Sequence, residues 1–232
     1  MFVKFPIIEL FSNNSNSHGI IITKNSLYYG FLSSKNIIKA MNEENLLLAR
    51  DQNPLTKMPG NRVIEEYMQE TLNSNKQTIL CYFDLDNFKA FNDAYGFRNG
   101  DRIIQLFANI LTKHLPKSFF KGHIGGDDFF VAQRIQESDI NNALLSIIKI
   151  IEIFENNARD FYSQNDKGRG YIIAQDRERN KKQFPFLTVS AAILLINMHG
   201  NSKYLQNAHE VLAIEKKVAK HASNHLSISS LL

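Results

Sequence analysis

Two short acidic segments carry residue types suited to metal-assisted chemistry on phosphates. Asp84-Leu85-Asp86-Asn87-Phe88-Lys89 follows the apolar, strand-like run Thr78–Phe83, and Gly125-Gly126-Asp127-Asp128-Phe129 follows a second run, Phe119–Ile124. Carboxylates at the ends of neighbouring strands can share a divalent ion. Mg2+ takes one or two of them and completes its octahedron with water and substrate phosphates. Asp84 and Asp127 are the candidates for that role. Such an ion neutralises a triphosphate, helps ionise an attacking hydroxyl and stabilises departing pyrophosphate. Gly125 and Gly126 permit unusual backbone angles and close approach of a bulky ligand. Lys89 offers the phosphates a point charge. Each segment alone also has an ordinary reading: Gly-Gly-Asp as hairpin punctuation, Asp84-Leu85-Asp86 as a helix cap after a strand. Together, each behind a matched apolar run, they point to metal-assisted phosphoryl or nucleotidyl transfer.

The elements that must position these residues are legible from periodicity. Residues 19–32 read as a hairpin turning at Lys24-Asn25-Ser26, and a helix runs from about Ser34 towards Asn53-Pro54, where proline disfavours its continuation. A piece this small cannot bury its own face and must pack on the main domain or on a partner chain. From Pro54 the pattern gives a helix with Val63, Ile64, Tyr67, Met68 and Leu72 at apolar positions. The strand Thr78–Phe83 follows, then a short helix with Phe88, Phe91 and Tyr95. Asn99-Gly100-Asp101 opens another helix with Ile103, Ile104, Phe107, Ile110 and Leu111 at core spacing. Phe119–Ile124 and Phe129–Ala132 flank a hairpin, and a long helix begins near Ser138, where Asp139 favours the first turn. Asn165 to Gln183 is polar and reads as a long loop or small insertion. Leu187–Ile196 is a strand and Leu205–Ala222 a final helix. Strands and helices mix without strict βαβ repetition, which predicts an α+β fold with a largely antiparallel central sheet flanked by helices. The boundaries are 1–50 for the hairpin and connecting helix and 51–232 for the main domain.

Composition narrows the function classes. The 232 residues suit one full domain with an extension. No apolar run is long enough for a membrane span, and Met1-Phe2-Val3-Lys4-Phe5-Pro6 lacks the shape of a secretory signal. The single cysteine, Cys81, excludes a disulfide within the chain and reads as a core thiol in a reducing cytoplasm. A net charge of +4 with dispersed basic residues gives no reason to expect nucleic acid; the densest cluster, Arg177 to Lys182, reads as a solvated loop.

The ordered motifs resemble the GGDEF family, the diguanylate cyclases, over roughly residues 51–228. They are Asn53-Pro54-Leu55-Thr56-Lys57-Met58-Pro59-Gly60-Asn61-Arg62, Phe83-Asp84-Leu85-Asp86-Asn87-Phe88-Lys89, Asn92-Asp93-Ala94-Tyr95-Gly96, Gly100-Asp101, Gly125-Gly126-Asp127-Asp128-Phe129, Leu187-Thr188-Val189-Ser190 and Ala219-Lys220. Gly122-His123-Ile124 and Gly170-Tyr171-Ile172 are similar to a subgroup often preceded by CBS-type domains, and residues 19–50 resemble the trailing half of such a module. The resemblance implies a palm-like fold in which two domains, each holding one GTP, meet to form cyclic di-GMP and release two pyrophosphates. It implies Mg2+ (or Mn2+) on Asp84, Asp127 and the Leu85 carbonyl, and catalytic roles for Asp84, Asp127 and Asp128. Guanine contacts fall on Asn92 and Asp101. Phosphate contacts fall on Lys89, Lys220 and backbone amides near Asn87 and Phe88, with Gly125 and Gly126 lining the substrate. A carboxylate suits guanine because it accepts from N1–H and the exocyclic amine, while an amide both donates and accepts. The resemblance also implies a cytoplasmic signalling protein.

The pattern departs from the family in four places. The fourth signature residue is Asp128 instead of Glu, one methylene shorter, and a loss of about 1 Å of reach predicts a lower rate. Phe97 replaces the usual His, and Asn224 replaces an arginine that contacts phosphate in many active members. Pro116-Lys117-Ser118-Phe119 stands where an inhibitory product site would need Arg-x-x-Asp, which predicts no product inhibition there. These departures keep a second function open: a weakened GGDEF domain that binds GTP and regulates a partner. No Glu-Ala-Leu phosphodiesterase signature occurs. His221 and His225 have metal-pair spacing, but Ser223-Asn224 ends the helix between them, so a solvated terminus is expected. Phe88, Phe91, Tyr95 and Phe107 sit at core spacing and need no cofactor.

Overall fold

A computed structural model describes residues 18–74, 76–175, 180–196 and 203–231. The chain divides into two compact units, Met1–Arg50 and Asp51–Leu232. In the first, strands β1 (Gly19–Lys24) and β2 (Leu27–Ser33) pair antiparallel, and helix α1 (Ser34–Asp51) follows. Asn25 and Ser26 make the turn with φ of 53° and 64°, the left-handed pair whose twist matches that of the flanking strands. Ile21, Leu27, Tyr28, Tyr29 and Phe31 are all more than half exposed. The hairpin therefore has no core of its own, as expected of two strands.

The second unit runs α2 (Asn61–Leu72), β3 (Thr78–Asp86), α3 (Phe88–Tyr95), α4 (Phe97–His114), β4 (Phe120–Gly125), β5 (Asp128–Arg134), α5 (Ile140–Ala158), α6 (Gln164–Arg169), β6 (Ile172–Gln175), β7 (Lys181–Phe184), β8 (Thr188–Ile196), α7 (Lys203–His221) and β9 (Leu226–Leu231). Five strands form one sheet in the order β4-β5-β3-β8-β9, antiparallel throughout except for the parallel pair β8-β9. This is the expected α+β architecture. β3 lies at the centre and both of its faces are covered, which explains the unbroken apolar run at Ile79-Leu80-Cys81.

Strand alternation divides the core. Ile79, Cys81, Phe83 and Leu85 join the larger cluster with Phe91 of α3, Phe107 of α4 and Phe154 of α5. Leu80 joins the smaller cluster with Ile64 and Met68 of α2 and Leu212 of α7. Phe107 is the hub of the first, edge-on to Phe83, Phe129 and Phe154 at centroid distances of 5.4, 4.8 and 5.2 Å. Each such ring contributes about 1.5–3 kcal/mol by leaving water. Cys81 is buried in this core, and burial pushes its thiol well above the usual range. The same alternation puts Asp84 and Asp86 on the face of Leu80 and Tyr82, towards α7.

Several expectations need correction. β3 continues three residues past Phe83, so Asp84 and Asp86 lie within the strand; ladder pairing to both neighbours carries it on. α4 begins at Phe97, which leaves Asp101 inside the helix instead of opening it. The close packing requires glycine at position 100, because a Cβ there would lie 1.8 Å from Asn92 Oδ1. The stretch 165–183 is no plain loop: it holds most of α6 and the two-stranded sheet β6-β7. Residues 176–179 of that stretch, and the opening Met1 to Pro6, lie outside the described residues. The final helix is followed by strand β9, whose Ser229 donates to Glu215 of α7 at 2.6 Å. Among the described residues no helix is long and apolar enough to cross a membrane.

Candidate active site

The β3–β5 register sets Asp84 directly opposite Asp128. β4 and β5 are joined by Gly126-Asp127, with φ of 149° at Gly125 and 57° at Gly126, angles that side chains rarely adopt. The tip then folds back onto β3: the Leu85 amide donates to the Asp127 carbonyl at 3.1 Å. Three carboxylates from two sequence segments thereby share one end of the sheet.

A buried histidine holds this hairpin. The His123 ring stacks on Phe129 at 4.2 Å and 5°. Its Nδ1 lies 3.0 Å from the Thr56 hydroxyl and its Nε2 3.1 Å from the Gly126 carbonyl. Burial pushes the ring's pKa down, against a smaller opposing effect of that carbonyl. In the neutral ring only one nitrogen carries hydrogen. A carbonyl can only accept, so Nε2 donates to Gly126 and Nδ1 accepts from Thr56. Thr56 is fixed in turn, because Asn53 Oδ1 accepts from the Leu55 and Thr56 amides at 2.9 and 3.2 Å. The His123 amide donates to the Pro59 carbonyl at 2.8 Å. The Asn-Pro-Leu-Thr segment thus clamps the acidic turn. Sequence reading did not assign His123 a place in the site.

Two lysines one turn apart on α7 meet the acids. Lys220 Nζ lies 2.7 Å from Asp84 Oδ1 and Lys216 Nζ 2.8 Å from Asp84 Oδ2, and Lys216 also donates to Asp128. Asp84 is only 4% exposed, so these ammonium groups carry most of the compensation a buried carboxylate requires. Burial raises the pKa of Asp127, and the charge of Asp84 raises it further. Burial also raises Asp128, against the opposing pull of Lys216. Burial acts against the Lys216 charge, but Asp128 and Asp84 outweigh it and hold that lysine above its usual value. Lys216 was missed because Glu215-Lys216-Lys217 reads as a solvated face; the available signal was its spacing from Lys220.

The donor set fits a divalent ion that arrives with phosphates. Asp84 Oδ1 is buried without a hydrogen bond of good geometry. Among the described residues no group of three or more His, Cys, Asp or Glu could hold a metal alone. Two carboxylates with a triphosphate are what Mg2+ commonly uses.

A second group of candidate residues begins at Asn87. Asn87 has φ 61° and turns the chain into α3 without a side-chain cap, which leaves the first helical amides suited to an anion. Lys89 is exposed in that first turn. Asn92 Oδ1 is buried and has no hydrogen-bond partner. Gly100 presses against Asn92, so the exposed Asp101 follows next on α4. Phe97 is 77% exposed and places a bare ring at the start of α4. Asn224 Oδ1 accepts from the Leu226 amide at 3.3 Å, closing the turn into β9. His225 is no solvated tail: its buried Nδ1 lies 3.2 Å from Asp86 without a hydrogen bond of good geometry, and Asp86 accepts from Thr188 at 2.9 Å and from Ser190 at 2.7 Å.

The family model described as "Diguanylate cyclase, GGDEF domain" matches residues 50–184, more than half of the chain. The protein belongs to the GGDEF family. Its relatives include the signaling protein YkoW of Bacillus subtilis, 30% identical over 105 residues that cover 44% of this chain and 13% of that protein. The diguanylate cyclase DgcP of Pseudomonas aeruginosa is 29% identical over 82 residues, covering 34% of this chain and 12% of DgcP. The cyclic di-GMP phosphodiesterase PdeR of Escherichia coli is 29% identical over 91 residues, 38% of this chain and 14% of PdeR. The chain therefore spans only a small part of these relatives' lengths. Among solved structures, the coiled coil and GGDEF domain of DgcB from Caulobacter crescentus, in complex with c-di-GMP, superposes with a TM-score of 0.58 at 17% identity, covering 84% of this chain and 95% of that one. The S helix-GGDEF-EAL structure of LapD from Vibrio cholerae gives 0.57 at 14% identity, covering 84% of this chain and 40% of that one. At these identities the likeness shows the GGDEF fold.

Proposed function

We propose that this GGDEF domain is a diguanylate cyclase that condenses two GTP into cyclic di-GMP. In each half-reaction a ribose 3′-hydroxyl of one GTP attacks the α-phosphorus of the other. The new P–O bond forms as the bond to the bridging oxygen breaks and pyrophosphate leaves, and a second such step closes the ring. Two GGDEF domains, each with one GTP, must face each other for this. The observation that carries the reading is the convergence of Asp84, Asp128 and the folded-back Asp127 turn beside Lys216 and Lys220.

Asp84, Asp127 and the Leu85 carbonyl would hold Mg2+ or Mn2+. That ion supplies charge neutralisation for the triphosphate and activation of the attacking hydroxyl. Asp101 accepts from guanine N1–H and its amine, and the partnerless Asn92 carbonyl oxygen takes a donor from the base. The first amides of α3, with Lys89 and Lys220, bind phosphates. Gly125 and Gly126 leave room for the substrate at the hairpin. Asp128, whose raised pKa suits a proton acceptor, takes the hydroxyl proton.

Purified protein with GTP and Mg2+ should yield cyclic di-GMP, resolved by chromatography, and Asp127→Ala should abolish it. Bound GTP with no product at high protein concentration would reject the cyclase reading. One observation favours a second reading, a GTP-binding regulator of a partner protein: the short Asp128 side chain is held by Lys216. Asp128→Glu should raise turnover if reach is the limit; unchanged turnover would clear this residue.

A further inference from the structure

The face of α7 that meets the acids carries one more cation than the proposed reaction uses. Lys220 sits on Asp84 Oδ1, and Lys216, one turn earlier, sits on Oδ2 and also holds Asp128. The Lys216 ammonium therefore spans the two carboxylates that the β3–β5 register sets opposite each other. A divalent ion on Asp84 needs the oxygens these ammonium groups now hold, and like charges at such separations repel strongly in a part-buried site.

We propose that Lys216 is a resident cation of this site, a positioning residue that ties Asp128 to Asp84 and competes with divalent metal for Asp84. The inference rests on the reading of Asp84 as a metal ligand. Two further observations support it. Among the described residues no cluster of three or more His, Cys, Asp or Glu offers free metal a complete site. The lysine also has space to withdraw into: a cavity of about 270 Å³ beside it is lined by Tyr82, Ile124, Asp128, His209, Leu212 and Ala213. Free metal then binds weakly. Metal with a triphosphate binds well, because phosphate oxygens complete the coordination and offset the displaced ammonium. Asp128 is released in the same event, so the proton acceptor becomes available only when nucleotide is present.

Mn2+ alone, without nucleotide, is titrated into the full chain and free Mn2+ is followed by its electron paramagnetic resonance signal. Lys216→Met should bind about tenfold more tightly than wild type, the size of effect a neighbouring ammonium has on a carboxylate's affinity for a proton. Lys216→Arg should stay near wild type. Equal or weaker binding by Lys216→Met overturns the proposal. Wild-type protein gives a second readout that needs no variant: acylation of Lys216 by an amine-reactive ester, quantified on its peptide by mass spectrometry. Labelling should rise several-fold when Mn2+ saturates the protein, and unchanged labelling overturns the proposal. No GTP enters either experiment, so a failed cyclase assay does not decide them. If Asp84→Asn leaves Mn2+ binding by Lys216→Met unchanged, the metal-ligand reading itself falls.

Discussion

The two halves of the candidate site are built on opposite terms. At the acidic half the charges are already compensated, Asp84 by two lysines and Asp128 by Lys216, and His123 is bonded to Thr56 and Gly126. At the amide half the groups wait, with the Asn92 carbonyl oxygen buried and partnerless and α3 lacking a side-chain cap. Unmet hydrogen-bonding capacity in a cleft costs stability and is recovered by a ligand that supplies the missing partner. Charges that compensate each other stabilise the fold before any ligand arrives. One half is therefore an electrostatic part of the fold, and the other is, under the function proposed above, the part that receives the nucleotide.

Substitutions can break this contrast or sharpen it. The largest effect should come from Asp84→Ala, which leaves Lys216 and Lys220 facing each other without their shared carboxylate. It should cost about 3 kcal/mol in urea unfolding, the low end for a broken buried pair because both lysines are partly exposed. Gly100→Ala comes next. Its methyl group would collide with Asn92 Oδ1, costing about 1–3 kcal/mol and weakening GTP binding, while Mn2+ binding stays as in wild type.

A smaller, pH-dependent loss is expected at His123. Its pKa is lowered in the fold, so the unfolded chain binds the proton more readily. The stabilisation is present above the ordinary histidine value of about 6.5 and is lost as pH falls from there towards the lowered value. Thermal melts at pH 7.5 and 5.5 should show this drop in wild type and a shallower one in His123→Gln; parallel slopes would remove the clamp's role. The smallest stability change belongs to Asn92→Ala, within about 0.5 kcal/mol, because no bond within the protein is lost. Its GTP affinity should nonetheless fall about tenfold by calorimetry. A large stability loss there would erase the distinction between the halves.

Much of this arrangement was legible from periodicity. The apolar run before Asp84 is a strand, as its pattern predicts, but pairing with β5 and β8 is what carries it through Asp86 and turns Asp84 and Asp86 towards one layer of helices. The hairpin at Gly125-Gly126 followed from glycine between two β-prone runs. What escaped was held by distant partners. Lys216 looks like one of several charges on a solvated helix until the sheet brings Asp84 and Asp128 to it. β6 and β7 are four residues each in a charged stretch, too short for alternation to register. β9 is serine-rich and reads as a tail; pairing on the edge of β8 and the bonds to Glu215 make it a strand. The roles assigned to Asn92, Asp101 and Lys220 came from the resemblance, because a helix-surface amide and a lone lysine announce nothing by composition.

The lone cysteine in the middle of β3 gives the protein a built-in clock. Cys81 is fully buried, central in the sheet, and its thiol is held far from the reactive thiolate form. A thiol reagent can modify it only after the central strand opens. The rate at which a disulfide reagent labels the native protein therefore counts openings of the whole sheet, with no engineered probe. Ligands that tighten the sheet end bearing Asp84 and Asp127 should slow that clock.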